Sequence, residues 1–385
     1  MRVWLAVLSS VLLAACATSP ADTAPTPQSL FADARFAPPS ERVAAADVFA
    51  VSPEMKRYLE VDAADKLRRL GSQKGLVDAL YAKGELRLDY DSATTRNAAQ
   101  AFAARSGNCL SLVIMTAALA KELQLDVHYQ SVFTDETWAR SGDIQFVVDH
   151  VNLSLGKRVS EVDRGARFQA VLTVDFLPPS ETGKQRARLL RENTIVAMYL
   201  NNRAAESLAA GRVDDAYWWA REAMLQDPEL ARGYNTLGVV YRRHGDLALA
   251  QRVLERARAI EPDNPQVVAN LAQVYADQGR NAEAAVLLQR LAQLEAEPPF
   301  VWFDRGQEAL RQGDLVTANA LFERQVERAP YYHEFHYWLA VTQARLGDTK
   351  RAHKHLTLAM DTSTTRNDHD LYAGKLARFQ ERVAR

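Results

Sequence analysis

The sequence has 385 residues, of which 48% are hydrophobic and 25% are charged, and its formal net charge is −1 at pH 7. This composition is ordinary for a globular chain, and the length suggests two folded domains. Because the chain has no strong excess of basic residues, nucleic acid is a poor candidate for its partner.

Residues 1–15 predict a signal peptide. A short positive start precedes an apolar segment at 3–15 that is too short to cross a bilayer as a helix. The sequence LAAC at 13–16 resembles the lipobox of bacterial lipoproteins, in which the chain is cut before the cysteine and the cysteine carries acyl chains. The resemblance implies a lipidated Cys16. Since Ala17 rather than Asp follows, it also implies an outer-membrane lipid anchor and a protein that faces the periplasm. The alternative is an ordinary cleaved signal peptide in which Cys16 is incidental.

Residues 16–45 predict a flexible tether. Five prolines lie among Ser, Thr and Ala, a composition that favours extended backbone and offers little to bury. At ~3.1 Å per residue in a polyproline-like conformation, residues 17–40 would reach roughly 70 Å. We therefore expect this segment to hold the folded part of the chain away from the membrane.

Residues 46–190 predict an α+β domain. Amphipathic helical patterns come first, and segments that alternate with a period of two follow. The predicted helices are 53–70 and 73–83, a further helix starts near 96, and the predicted strands are 127–133, 143–156 and 168–177. Helices followed by antiparallel strands are typical of this fold class.

Cys109 is the only cysteine apart from Cys16, and it follows the sequence Ser-Gly-Asn at the start of an apolar helix. This turn and cap chemistry places Cys109 in the first helical turn, where unpaired backbone N–H groups and the helix dipole favour a thiolate. In an oxidising compartment an unpaired thiol is a liability unless it is buried or used. The alternative is that Cys109 is a small core hydrophobe.

A thiolate nucleophile needs a base, and the base needs an orienting group. Strand alternation places His150, Asn152 and Ser154 on one face and aliphatic residues on the other, so we expect His150 to be presented rather than packed. Asp175 is a lone carboxylate in an apolar strand, which is costly unless it has a partner, and Asp163 is a weaker alternative. The alternative is that His150 is an ordinary surface histidine and that Asp175 pairs with a residue nearby in the sequence.

The order of these residues resembles the transglutaminase-like superfamily, whose site is papain-like. The resemblance rests on the sequences GNCLSL, DHVNLSL and VLTVDF and covers roughly residues 85–180. It implies that Cys109 is the nucleophile, that His150 is the general base and then acid, and that Asp175 fixes the imidazole tautomer. The backbone N–H of Cys109 is the first candidate oxyanion donor. Side-chain candidates for the oxyanion hole or the lining of the site are Asn108, Gln130 and Asn152.

A 34-residue period fills the C-terminal half and resembles the tetratricopeptide repeat (TPR). One unit carries Tyr234, Leu237, Gly238, Tyr241, Ala250, Leu254 and Pro262, and steps of 34 residues recover matching types. Small residues let two helices approach, and large ones fill the layer between units. The predicted units are 197–230, 231–264, 265–298, 299–332 and 333–366, and a capping helix follows at 367–385.

The resemblance implies an all-α solenoid that binds a polypeptide on its concave face. The candidate peptide-binding residues are Asn235, Arg242, Arg243, Phe303, Gln307, Arg311, Tyr337 and Arg345. Arginines and aromatic residues together suit an acidic or C-terminal carboxylate peptide, although an ordinary solvated face is the alternative. No zinc-ligand set or phosphate-binding loop is recognisable, so we expect no metal and no cofactor.

Two functions follow from the sequence. The first is an envelope-anchored enzyme that acts on peptide or protein amides, as a peptidase or amidase, and whose substrate is bound by the repeats. The second is a non-enzymatic TPR scaffold for envelope complexes that carries a degenerate transglutaminase-like module.

Overall fold

The computed structural model describes residues 26–81, 89–92, 94–141, 144–156, 172–175, 187–295 and 297–383. For residues 89–90 and 133–149 the description is restricted to the backbone. The predicted signal peptide, Cys16 and Asp163 lie outside these residues. Within them, no helix combines the length and the apolar character that crossing a membrane requires.

Short helices make up the first part of the domain that precedes the repeats. They are α1 (Pro53–Arg57), α2 (Ala64–Leu70), α3 (Ser72–Tyr81), α4 (Ala98–Ala104) and α5 (Cys109–Glu122), and a π-helical turn, Tyr58–Asp62, separates α1 from α2. The single helix expected at 53–70 is therefore interrupted. Ser52 starts α1 by accepting a hydrogen bond from the Met55 amide at 3.3 Å, and Gly71 ends α2 with a φ of 78°.

A small antiparallel sheet completes this domain. Its strands are β3 (Val127–Ser141), β4 (Ile144–Leu155), β5 (Leu172–Val174) and β6 (Ala187–Leu190), in the order β5-β4-β3-β6. Two short strands, β1 (Asp89–Tyr90) and β2 (Ser106–Gly107), pair in parallel just before α5. Val151, Leu153 and Leu155 of β4 are fully buried in the same apolar core as α5, so helix and sheet fold together.

Five antiparallel helix pairs follow. They are α6 (Glu192–Ala209) with α7 (Val213–Gln226), α8 (Ala231–His244) with α9 (Leu247–Ile260), α10 (Pro265–Asp277) with α11 (Asn281–Leu294), α12 (Val301–Arg311) with α13 (Leu315–Arg328), and α14 (His333–Arg345) with α15 (Thr349–Asp361). A last helix, α16 (Arg366–Val383), packs on the final pair. The small residues act as expected, since a Cβ on Gly238 would lie 2.5 Å from Leu254.

Residues 26–50, called here the N-terminal segment, lie against the first two helix pairs. Leu30 and Val48 are fully buried, and Phe36 is 6% exposed. The ring of Phe36 stacks on Tyr217 of α7, and Tyr241 of α8 donates a hydrogen bond to the Leu30 carbonyl at 2.7 Å. The prediction of a free tether up to residue 45 is therefore wrong for residues 26–45.

Side chains of the repeats form hydrogen bonds with polar groups of the N-terminal segment. Ser40 donates to the carboxylate of Asp215 through its amide and its hydroxyl, both at 2.7 Å, and the indole of Trp218 donates to the Ala37 carbonyl at 2.6 Å. The segment contains three short 3-10 helices, Pro27–Leu30, Asp33–Arg35 and Ala45–Asp47, separated by extended residues. Because buried backbone and hydroxyl groups need hydrogen-bond partners, these side chains of the repeats stabilise the docked segment.

Candidate functional site

Asn108 fixes the position of Cys109 at the start of α5. The Asn108 side-chain oxygen accepts a hydrogen bond from the Ser111 amide at 2.9 Å, and its amide nitrogen donates to the Thr95 hydroxyl at 2.9 Å. Both ends of this side chain are therefore used to cap the helix and to tie it to the loop before α4. Because Nδ2 carries a second N–H, the role of Asn108 as an oxyanion donor stays a prediction.

Cys109, His150 and Asp175 lie together at the junction of α5 and the sheet. The Nε2 atom of His150 is 2.7 Å from Oδ1 of Asp175, and His150 also forms a hydrogen bond with Cys109. Because Nε2 is bonded to the carboxylate, Nδ1 is the nitrogen left to face the thiol. The arrangement couples a thiol to an imidazole and the imidazole to a carboxylate.

The environment of His150 favours its protonated form. Burial lowers the pKa of His150, but the hydrogen bonds to Asp175 and Cys109, with the negative charge of both partners, outweigh it and raise the pKa to about 9. A histidine that keeps its proton at neutral pH beside a cysteine favours the ion pair of imidazolium and thiolate.

Asn152 and Gln130 occupy the polar face of the sheet beside His150. Asn152 donates a hydrogen bond from Nδ2 to Oδ2 of Asp175 at 2.9 Å, and Gln130 donates from Nε2 to the Ser154 hydroxyl at 2.5 Å. The strand register places Gln130 opposite Asn152. Asn152 therefore acts on the carboxylate of Asp175, and the predicted oxyanion role of both side chains stays a prediction.

The site is buried. Cys109, His150 and Asn152 are each 5% exposed, so His150 is packed and the expectation of a presented histidine is wrong. The expectation rested on strand alternation, which assigns a polar face but does not reveal what covers it. Among the described residues, no group of three or more His, Cys, Asp or Glu side chains could hold a metal ion.

Two of the candidate peptide-binding residues hold neighbouring repeats together. Asn235 on α8 accepts a hydrogen bond from Asn270 on α10 at 2.9 Å, and Arg242 forms an ion pair with Asp277 at 2.6 Å. These side chains therefore already have partners within the array. Arg243 and Arg345 are exposed.

The remaining candidates divide between a groove and the core. Gln307 and Arg311 line a groove of about 540 Å³ between α12 and α14, which Asp304, Glu334 and Trp338 also line. Phe303 is 2% exposed and belongs mainly to the core of the fourth and fifth helix pairs. Tyr337 is half-buried and packs against Tyr372 of α16 with ring centroids 5.3 Å apart, and it lines a second groove together with Lys375.

Thr95 and Trp338 are not among the residues that the sequence predicts for the site or the groove. Thr95 gave no signal, because a hydroxyl in a loop is common and its contact to Asn108 spans 13 residues. Trp338 could have been found, since it lies one position after Tyr337 on a helix that was already predicted to line the concave face.

Comparison with known proteins identifies the repeats. Residues 241–300 and 303–359 match two family models of the tetratricopeptide repeat. The predicted TPR array is therefore confirmed, and the chain is a TPR-containing protein. These models do not extend into the domain that carries Cys109.

One curated relative matches part of the chain. Cellulose synthase operon protein C of Pseudomonas fluorescens (strain SBW25) is 31% identical over 147 residues, which cover 31% of this chain and 12% of that protein. The chain thus spans about an eighth of the length of this relative.

Several solved structures align with part of the chain. YrrB, described as a TPR protein with an unusual peptide-binding site, is 23% identical and covers 46% of this chain and 92% of its own, with a TM-score of 0.25. The structure of pilF of Pseudomonas aeruginosa is 20% identical and covers 50% of this chain and 87% of its own, with a TM-score of 0.29. The structure of MamA is 16% identical and covers 41% of this chain and 93% of its own, with a TM-score of 0.24.

Proposed function

We propose that this chain is a lipid-anchored envelope protein whose transglutaminase-like Cys109–His150–Asp175 site transfers the acyl group of a peptide or protein amide, most simply to water. The observation that carries the proposal is the placement of His150 between Asp175 at 2.7 Å and Cys109. The TPR array would bind the polypeptide that supplies the amide, because protein binding is what such arrays do.

The chemistry follows from the hydrogen bonds of His150. The thiolate of Cys109 attacks the amide carbonyl, and the imidazolium of His150 gives its proton to the leaving amine, so that a thioester forms. A water molecule then attacks the thioester while the neutral imidazole accepts its proton, and the carboxylic acid leaves as the thiolate is restored. Asp175 holds the ring in the tautomer that keeps Nδ1 facing the sulfur.

The buried site sets a condition on this reaction. A carbonyl carbon must come within about 3–3.5 Å of the Cys109 sulfur, yet Cys109 is 5% exposed. We propose that the polypeptide enters only after the chain around the site moves. This would restrict the enzyme to extended or partly unfolded substrates.

Alkylation of Cys109 tests for an activated thiol. The purified chain with Cys16→Ser is treated with iodoacetamide at pH 7, and the rate is compared with that of the same chain carrying His150→Gln. We expect the His150→Gln chain to react at least tenfold more slowly, and Asp175→Asn to lie between the two. Equal rates in all three folded proteins would show that no activated pair exists.

The second candidate is a scaffold that acts through the groove lined by Gln307, Arg311 and Trp338. Its test is capture of envelope proteins by the Cys109→Ala chain and by the same chain with Trp338→Ala. A partner that is retained by the first protein, lost by the second and not cleaved by the wild type would favour the scaffold. Loss of captured material through cleavage by the wild type would favour the enzyme.

The proposed membrane anchor is tested separately. Cells that express the chain are grown with a radiolabelled fatty acid, and the outer and inner membranes are separated. We expect label on the wild-type chain in the outer membrane and none on Cys16→Ser. A labelled Cys16→Ser protein would exclude Cys16 as the acylated residue.

A further inference from the structure

The carboxylate of Asp175 has two distinct partners on β4. Oδ1 lies 2.7 Å from His150 Nε2, and Oδ2 accepts a hydrogen bond from Asn152 Nδ2 at 2.9 Å. His150 and Asn152 are two residues apart on one strand, so their side chains point to the same face and hold the two oxygens of one carboxylate. The orientation of the Asn152 amide follows, because a carboxylate can only accept the hydrogen bond.

This orientation leaves the other end of Asn152 without a partner. Its Oδ1 is buried and has no hydrogen bond among the described residues, while the whole residue is only 5% exposed. A buried acceptor without a partner costs roughly 1–3 kcal/mol, and an aliphatic residue of similar size would avoid that cost. A residue that served packing alone would gain nothing from being an asparagine at this position.

From this geometry we infer that Asn152 is a positioning residue, which holds Asp175 ionised and aligned on His150 by donating to its second oxygen. This inference rests on the proposed function, because a positioning residue matters only if the site is used. Its test does not require catalytic turnover. Asn152 touches neither the thiol nor the substrate in this role. Its effect reaches Cys109 through the carboxylate and the imidazole.

Groups on several elements surround His150. Among the described residues, Cys109 on α5 and Asp175 beyond β5 are the titratable groups that act on its ring, and β3 places the apolar Val132 opposite it. Loss of the Asn152 donor makes the negative charge on Asp175 less favourable, and a less charged Asp175 binds the imidazolium less strongly. The pKa of His150 must therefore fall when the donor is removed.

The experiment measures that pKa in the full chain. Histidine labelled with ¹³C at Cε1 is incorporated, the His150 signal is assigned by its loss in His150→Gln, and the signal is titrated by NMR. For Asn152→Leu we expect the midpoint to fall by about one pH unit, the size of a hydrogen bond to a charged group. For Ser154→Ala, on the same strand face, we expect no change, because Ser154 bonds Gln130 and not Asp175.

Each outcome decides between the two roles. An unchanged His150 midpoint in a folded Asn152→Leu chain would overturn the inference and leave Asn152 a packing residue. If the leucine variant does not fold, Asn152→Ala removes the same donor without added bulk and is read in the same way. A lowered midpoint together with alkylation of Cys109 that is independent of His150 would uphold the positioning role and refute the proposed enzyme.

Discussion

The ring of Phe36 lies flat on the ring of Tyr217, with centroids 3.9 Å apart and an angle of 3° between their planes. The whole first domain lies between these two residues in the sequence, and their stack attaches the N-terminal segment to the second helix of the array. The hydroxyl of Tyr217 also accepts a hydrogen bond from the Ala32 amide at 2.9 Å. The contact is therefore part of the fold of the array and not an incidental touch at its surface.

Replacement of Phe36 tests how firmly the segment is held. Phe36→Ala removes a ring that is 6% exposed, and truncation of a buried phenylalanine costs about 3–5 kcal/mol. We expect the segment to detach, so that trypsin cleaves after Arg35 and Arg42 many times faster. Ser29→Ala, whose hydroxyl bonds only the nearby Thr26 carbonyl among the described contacts, is the matched control. Unchanged cleavage of Phe36→Ala would mean that the other contacts suffice.

The stability of the chain should fall at alkaline pH because of His150. Its pKa is raised to about 9 in the folded protein, against about 6.5 when unfolded. The folded state thus holds this proton more tightly, so the stabilisation is full below pH 6.5 and is lost as pH rises through about 9. Urea unfolding midpoints between pH 6 and 9.5 measure the decline, which Asp175→Asn should flatten. Parallel curves for the two proteins would contradict the assignment.

A pair of histidines in the last repeat predicts the opposite trend in acid. Nδ1 of His336 lies 3.1 Å from Nδ1 of His355, and burial, the neighbouring His336, Lys354 and Arg351 lower the pKa of His355 to about 4. Below pH 6.5 the unfolded chain binds a proton that the folded chain refuses, so stability falls as pH decreases towards 4.

The variant His355→Gln should reduce this acid sensitivity. We expect its thermal midpoint to fall less between pH 6.5 and 4.5 than that of the wild type, measured by circular dichroism. His353→Gln, which alters an exposed histidine on the same helix, is the control and should follow the wild type. An equal response of both variants would place the acid sensitivity elsewhere.

Close packing in the fourth repeat depends on Gly306. A Cβ at this position would lie 2.7 Å from the nearest ring atom of the fully buried Phe322, which has little room to move. Gly306→Ala should therefore destabilise the array by about 1–3 kcal/mol. Gly374→Ala on α16 meets nothing closer than 4.0 Å and should gain up to about 1 kcal/mol from helix propensity. Urea denaturation of both variants gives the comparison, and a neutral Gly306→Ala would refute the packing argument.

The repeats and the order of the site residues were accessible from sequence because each depends on local rules. The spacing of small and large residues within 34 positions predicts the helix pairs, and the strand alternation around His150 predicts which side chains share a face. The docking of Leu30 and Phe36 was not accessible, because their partners Tyr217 and Tyr241 lie about 180 to 210 residues away. A proline-rich sequence is compatible with both a flexible tether and a docked segment. Which of the two forms depends on distant residues that it can contact.

The role of Asn108 shows a second limit. An asparagine before a cysteine at a helix start can cap the helix through its side-chain oxygen or donate to an oxyanion through Nδ2. The structure shows the capping bond, from the Ser111 amide to Oδ1 at 2.9 Å, and one Nδ2 hydrogen bond to the Thr95 hydroxyl, which lies 13 residues earlier and could not be predicted from the sequence. Likewise, alternation predicted the polar face of β4 but could not show that it would be covered.

The bound N-terminal segment also changes the distance over which the chain can act. If Cys16 carries the proposed acyl chains, the residues between Cys16 and the buried Leu30 limit the distance between the membrane anchor and the repeats to roughly 45 Å, at ~3.1 Å per residue. The first two repeats would then stay within a layer of that depth next to the lipid surface. Any polypeptide that reaches Cys109 would have to be presented within that layer.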